Sequence, residues 1–129
     1  MKIRAYIFIL LAIAFCTQLG AQNRAQIDWI GFEELADSLR AKPKKVFIDF
    51  YTDWCTYCRK MDKQVFTKSQ VVRMLNSDYY AVRMDAETRD TIVFDGQIFV
   101  NVQAQTQRRG FHELPLLLGQ RAGQFTVPI

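Results

Sequence analysis

Trp54-Cys55-Thr56-Tyr57-Cys58 carries two thiols three positions apart, directly after the apolar run Val46-Phe47-Ile48-Asp49-Phe50-Tyr51 and ahead of a segment that reads as a helix. Thiols so spaced at a strand-to-helix junction can close a small disulfide ring, which is redox chemistry. The thiolate is the reactive form, and the unpaired N–H groups of a helix N-terminus lower the pKa of the sulfur placed there. Cys55 is that sulfur, and Cys58, one turn in, is its resolving partner. Trp54 lays a flat apolar surface beside the reactive sulfur, and Thr56-Tyr57 is expected to leave both thiols at an exposed turn. Zinc is the competing chemistry. A structural zinc takes four ligands, whereas beyond Cys16 the chain offers two cysteines and one histidine, His112, so a metal would have to be shared between subunits. No metal or other cofactor is expected, and His112 reads as a surface residue at the start of a helix.

Asp49 is an ionisable group inside the most apolar strand, six positions before Cys55. Alternation along the strand puts it beneath the cysteine turn, where burial raises a carboxyl pKa and lets the group hold or accept a proton near neutral pH. The competing role is a backbone hydrogen bond at an exposed strand end. Asp53 reads as a solvent-facing turn residue.

The elements that must position these groups follow from periodicity. Phe32, Leu35, Ala36 and Leu39 recur at helical spacing with Glu33, Glu34, Asp37 and Arg40 between them, giving an amphipathic helix that ends near Pro43. Lys45 to Tyr51 reads as a buried central strand. Met61, Val65 and Phe66 continue the helix that starts at the cysteines, and a break at Thr67–Gln70 offers a new N-cap at Thr67 or Ser69. Val71, Val72, Met74 and Leu75 form a second stripe closing at Asn76, and Tyr79 to Asp85 alternates as another strand. A β-α-β-α-β order implies parallel pairing through helical crossovers. Asp95-Gly96, between Thr91–Phe94 and Gln97–Val100, is a strong hairpin signal, so residues 91–100 read as a lateral insertion. Gln103 to Gly110 is polar loop, and Phe111 to Leu118 a short apolar helix despite Pro115.

The first 21 residues read as a secretory leader: a basic start, Met1-Lys2-Ile3-Arg4, an apolar run from Ala5 to Phe15, and small Gly20-Ala21 before Gln22. The run is short for a membrane span, which takes about 20 apolar residues, so no stable span is expected in the mature chain, residues 22–129. Cys16 follows bulky Phe15, which disfavours a lipid-attachment site. Export to the periplasm or cell envelope is the expected address. A formal charge of +4 falls to about +2 without Lys2 and Arg4, and the remaining cations alternate with acids, as in Lys60-Met61-Asp62-Lys63. Nucleic acid is therefore not an expected partner. In an exported chain one adjacent cysteine pair argues against a disulfide-stapled scaffold and for exchange.

Phe47 through Met61, with the cysteine motif inside it and Val65-Phe66 beyond, resembles the active-site strand and helix of the thioredoxin superfamily. It is similar in particular to exported thioredoxin-like proteins and to the C-terminal domain of thiol:disulfide interchange proteins. The resemblance runs from Trp29 to Met84, and Val127-Pro128 matches the family's cis-proline element. It implies an α/β thioredoxin-like fold with a central mixed sheet flanked by helices. The implied activity is thiol-disulfide exchange with protein substrates, recharged by a redox partner. Residue by residue, it implies Cys55 as nucleophile, Cys58 as resolving thiol and Asp49 as the carboxylate managing the Cys58 proton. Trp54 would support the turn and Pro128 would present backbone to a substrate. The competing reading is a non-catalytic thioredoxin-fold adaptor that uses Trp54, Pro128 and the Asp95-Gly96 hairpin only to bind a partner.

Three features depart from the family pattern. Thr56-Tyr57 replaces Gly-Pro between the cysteines. Ala81 stands where a lysine often pairs with the buried aspartate. The strands and helix expected after the cis-proline are missing, so the chain reads as truncated there, which would leave Lys45–Tyr51 as a sheet edge.

Overall fold

The computed structural model describes residues 26–121, so the expected leader, Cys16 and Pro128 lie outside the described residues. In chain order the elements are β1 (Trp29–Ile30), α1 (Phe32–Ala41), β2 (Lys45–Tyr51), α2 (Thr56–Gln64), α3 (Ser69–Asp78), β3 (Tyr79–Asp85), β4 (Ile92–Phe94), β5 (Gln97–Phe99), a 3-10 turn (Gln103–Gln105) and α4 (Glu113–Arg121). The strand at 45–51 falls where the apolar run puts it, and the one at 79–85 where alternation does. The N-cap of α3 is Lys68 rather than Thr67 or Ser69, because Ser69 already has helical backbone. The Thr67 hydroxyl instead donates back to the Lys63 carbonyl at 2.8 Å.

Among the described residues the main sheet has the order β1-β3-β2 and is parallel throughout. The central strand is therefore β3, not β2: β3 has a neighbour on both sides, and Ala81, Val82 and Met84 are buried in it. Along β2, paired on one side only, no residue is fully buried. Alternation divides the sheet cleanly. Ile30, Ile48, Phe50, Val82 and Met84 face α1, β4 and α4, where they pack with Phe32, Leu35, Ile92 and Leu114. On the opposite face, Trp29, Phe47, Tyr79 and Ala81 meet Val72 and Leu75 of α3 and Phe66 beyond α2. That second face also carries Asp49, Tyr51, Arg83 and Asp85, by the same alternation.

The hairpin forms as expected, with Val93 opposite Ile98 and both turn residues at positive φ, 49° at Asp95 and 77° at Gly96. Such a turn matches the right-handed twist of its strands. It is a sheet of its own, joined to the core through buried Ile92 and through Phe94, whose ring stands edge-on to Phe32 at 5.5 Å. Pro115 is accommodated in α4 because it lies in the first turn, where its missing N–H has no helical acceptor to lose.

Candidate functional site

The end of β2, the start of α2 and the segment after β3 converge on the cysteines. Cys55 is the N-cap of α2, and Cys55 and Cys58 are joined as a disulfide. The Cys58 backbone N–H donates to Cys55 Sγ at 3.0 Å, so one of the free donors of the helix N-terminus is already aimed at this sulfur. A thiolate formed there inherits that bond and the positive end of the helix. The turn itself is closed by the Cys55 N–H on the Thr52 carbonyl at 3.1 Å. Ala86 forms the floor. Its N–H meets the Tyr51 carbonyl and its carbonyl receives the His112 N–H, both at 2.8 Å, tying the ends of β2 and β3 to the start of α4.

The expectation of two exposed thiols is corrected by this packing. Cys55 has no exposed surface and Cys58 is 8% exposed. Both sit in an apolar cluster with Ala86, against which Phe50, Tyr51, Trp54 and Phe111 pack. Tyr57 takes the exposure that was expected for the sulfurs. Trp54 is half-buried and held at two points: its indole N–H donates to Glu87 Oε2 at 2.9 Å, and the Arg109 guanidinium lies 5.5 Å from the ring centre. Arg59 donates to the Asp53 carbonyl at 2.6 Å and to the Thr56 hydroxyl at 3.2 Å, bracing the turn from outside.

Asp49 lies on the sheet face that carries α2, its side chain 18% exposed. Burial raises its pKa above the ordinary carboxylate value, Arg83 draws it back down, and Asp62 pushes it up again. Arg83 is the residue that sequence reasoning missed. It is the register partner of Asp49 across β2 and β3, while Ala81 pairs with Phe47. The cation absent from position 81 is thus supplied two residues along the same face. Arg83 Nε stands 3.4 Å from Asp49 Oδ2 and its Nη2 2.7 Å from Asp62 Oδ1, while the guanidinium packs against the rings of Tyr51 at 4.7 Å and Trp29 at 5.3 Å. The alternation of β3, which gives Arg83 the same parity as Ala81, was the signal that could have found it.

The sequence places His112 at the surface, whereas it is fully buried. Nδ1 accepts the Leu114 N–H at 3.2 Å, so the imidazole caps α4, and burial pushes its pKa below the usual histidine value. Among the described residues no group of three potential metal ligands occurs.

A parallel sheet with helices on both faces and a disulfide-bonded CxxC pair capping the helix after its second strand define a thioredoxin-like domain. The family model for thioredoxin-like proteins matches residues 28–114, and the chain belongs to that family. It is similar to the thiol:disulfide interchange protein DsbD of a Pseudomonas species (strain JR1 / K1), 43% identical over 49 residues, or 38% of this chain and 8% of that protein. To the protein of that name in Yersinia enterocolitica it is 30% identical over 87 residues, covering 56% of this chain and 15% of the relative. Human spermatogenesis-associated protein 20 is 27% identical over 86 residues, 66% of this chain and 11% of its own length. The chain therefore spans a small part of each of these relatives. No helix among the described residues is long and apolar enough to cross a membrane.

Proposed function

We propose that this chain exchanges disulfides with protein substrates, as a thiol-disulfide oxidoreductase of the cell envelope. The observation that carries the reading is Cys55 at the N-cap of α2, its sulfur bonded to Cys58 and receiving the Cys58 N–H. In the reduced form, the Cys55 thiolate attacks a substrate disulfide, forming an S–S bond to one substrate sulfur and releasing the other as a thiolate. Cys58 then gives its proton to Asp49 and attacks Cys55, which expels the remaining substrate sulfur and closes the Cys55–Cys58 bond. The substrate gains two electrons and the cysteine pair loses them; a second dithiol protein restores the pair. Run backwards, the same steps oxidise a substrate, and the reduction potential sets the direction. Trp54, fixed by Glu87 and Arg109, supplies apolar surface for a substrate strand, and the family resemblance assigns Pro128 the role of presenting backbone to it. The leader-like composition of residues 1–21 supports export.

Insulin-type turnover by the reduced full chain tests the reading. Cys55→Ser is expected to abolish turnover and Cys58→Ser to accumulate mixed disulfides; a Cys55→Ser variant of undiminished activity refutes it. A potential near about −270 mV marks a reductase and one near about −120 mV an oxidant. One observation favours a second reading, an adaptor that binds through Trp54, Pro128 and the Asp95-Gly96 hairpin without turnover: oxidised Cys55 has no exposed surface. A pair that never cycles with substrate selects it.

A further inference from the structure

Resting on the exchange reading and on Asp49 as acceptor of the Cys58 proton, we propose that Arg83 is a positioning residue of this site. Shared between Asp49 on β2 and Asp62 on α2, it sets through Asp49 how readily Cys58 is deprotonated. Asp62 follows Cys58 by four residues on α2, so the two lie on one face of the helix, a turn apart. Cys58 is buried, and Asp62 reaches Arg83, which reaches Asp49. Asp62, Arg83 and Asp49 thus form one chain of contacts between α2 and the sheet, with Cys58 one helical turn before Asp62. The charged and titratable groups facing Asp49 are Arg83 from β3, Asp62 from α2 and Tyr51 from its own strand. Burial works against the Arg83 charge, but the hydrogen bond to Asp62 and the two carboxylates outweigh it and raise its pKa, so it remains a cation.

Two carboxylates competing for one guanidinium give the arrangement a sign that a plain structural tether lacks. Removing Arg83 leaves Asp49 with burial and the Asp62 charge, both of which favour its protonated form. Neutralising Asp62 does the reverse, since it removes a repelling charge and leaves Arg83 to Asp49 alone. The step affected is the second one. Cys58 loses its proton to the Asp49 carboxylate and its electron pair forms the bond to Cys55, while the bond from Cys55 to the substrate sulfur breaks and that sulfur departs as a thiolate.

Rapid mixing of the reduced full chain with dithiobis(nitrobenzoate) reads the two steps apart. A first thionitrobenzoate is released by Cys55 attack and a second by Cys58 attack. The pH midpoint of the second phase is expected to move to alkaline pH in Arg83→Met, by about one unit or more, and to acid pH in Asp62→Asn. Arg83→Lys, which keeps the charge and loses the fork, is expected between wild type and Arg83→Met. Midpoints that shift in the same direction in Arg83→Met and Asp62→Asn, or in neither, overturn the proposal. If Arg83→Met does not fold, Asp62→Asn alone decides, and an unmoved or alkaline midpoint in it refutes the assignment. Absence of the first release in wild type refutes the exchange reading itself and is distinguishable, because it precedes any step in which Arg83 takes part.

Discussion

Replacing His112 tests whether the start of α4 is held by a buried, neutral imidazole. In His112→Ala the Leu114 N–H loses its acceptor at 3.2 Å, a cap worth about 1 kcal/mol. The side chain is fully buried, and the void left in its place costs about 2–3 kcal/mol more. The expected loss is thus about 3–4 kcal/mol, a large share of the roughly 5–15 kcal/mol that holds a domain together. His112→Asn retains an oxygen where Nδ1 accepts and is expected to recover about 1 kcal/mol of the loss. Urea unfolding followed by tryptophan fluorescence measures both, with the midpoint moving at constant slope. Acid adds a second readout. Because burial holds the His112 pKa below 6.5, its contribution is complete above that value and is lost as pH falls through the folded-state pKa. The slope is at most about 1.4 kcal/mol per pH unit. Asp49 and Asp85, both raised from 3.8 chiefly by burial, act in the opposite sense: their contributions are complete below 3.8 and are lost as pH rises through their folded-state values. The difference between wild type and His112→Asn isolates the histidine. An alanine variant that loses less than about 1 kcal/mol, or an asparagine variant that keeps the wild-type acid slope, refutes the reasoning.

Asn101→Ala removes donors to the Thr88 carbonyl at 2.9 Å and the Gly110 carbonyl at 2.7 Å, and the acceptor of the Ala104 N–H at 2.9 Å. A loss of about 2–3 kcal/mol is expected, read as a lowered melting temperature together with faster proteolysis within residues 103–110. Tyr80→Phe frees the carbonyls of Ser38 and Lys42, which share its hydroxyl at 3.1 and 2.9 Å. It is expected to cost about 1 kcal/mol and to accelerate hydrogen exchange in the last turn of α1, with exchange elsewhere unchanged.

Local chemistry made much of this protein legible. The cysteine motif, the two long strands and the Asp95-Gly96 turn each depend on residues adjacent in sequence, and each lies where spacing and turn preference put it. What escaped depends on partners far along the chain. Burial of Cys55 requires Phe111, and burial of His112 requires Ala86 and Leu114 to meet it. Arg83 was hidden for a related reason. The sequence marks a missing lysine at position 81, whereas only the β2–β3 register reveals that Asp49 lies opposite Arg83. The Lys68 cap escaped because lysine offers no capping oxygen, so composition favoured its neighbours Thr67 and Ser69.

The β2–β3 register also orders events during synthesis. Lys45 lies opposite Tyr79 and Tyr51 opposite Asp85, so both cysteines, α2 and α3 lie in the crossover between the two strands. A parallel ladder cannot begin until that whole crossover has been closed, whereas the β4–β5 hairpin needs only its own two-residue turn and forms on a microsecond scale. A nascent chain therefore displays Cys55 and Cys58 before Arg83, Ala86 and Phe111 have been made. During that interval the thiols lack the apolar cluster that encloses them in the folded domain. The enclosure of the pair is acquired late, once the segments that carry Ala86 and Phe111 dock.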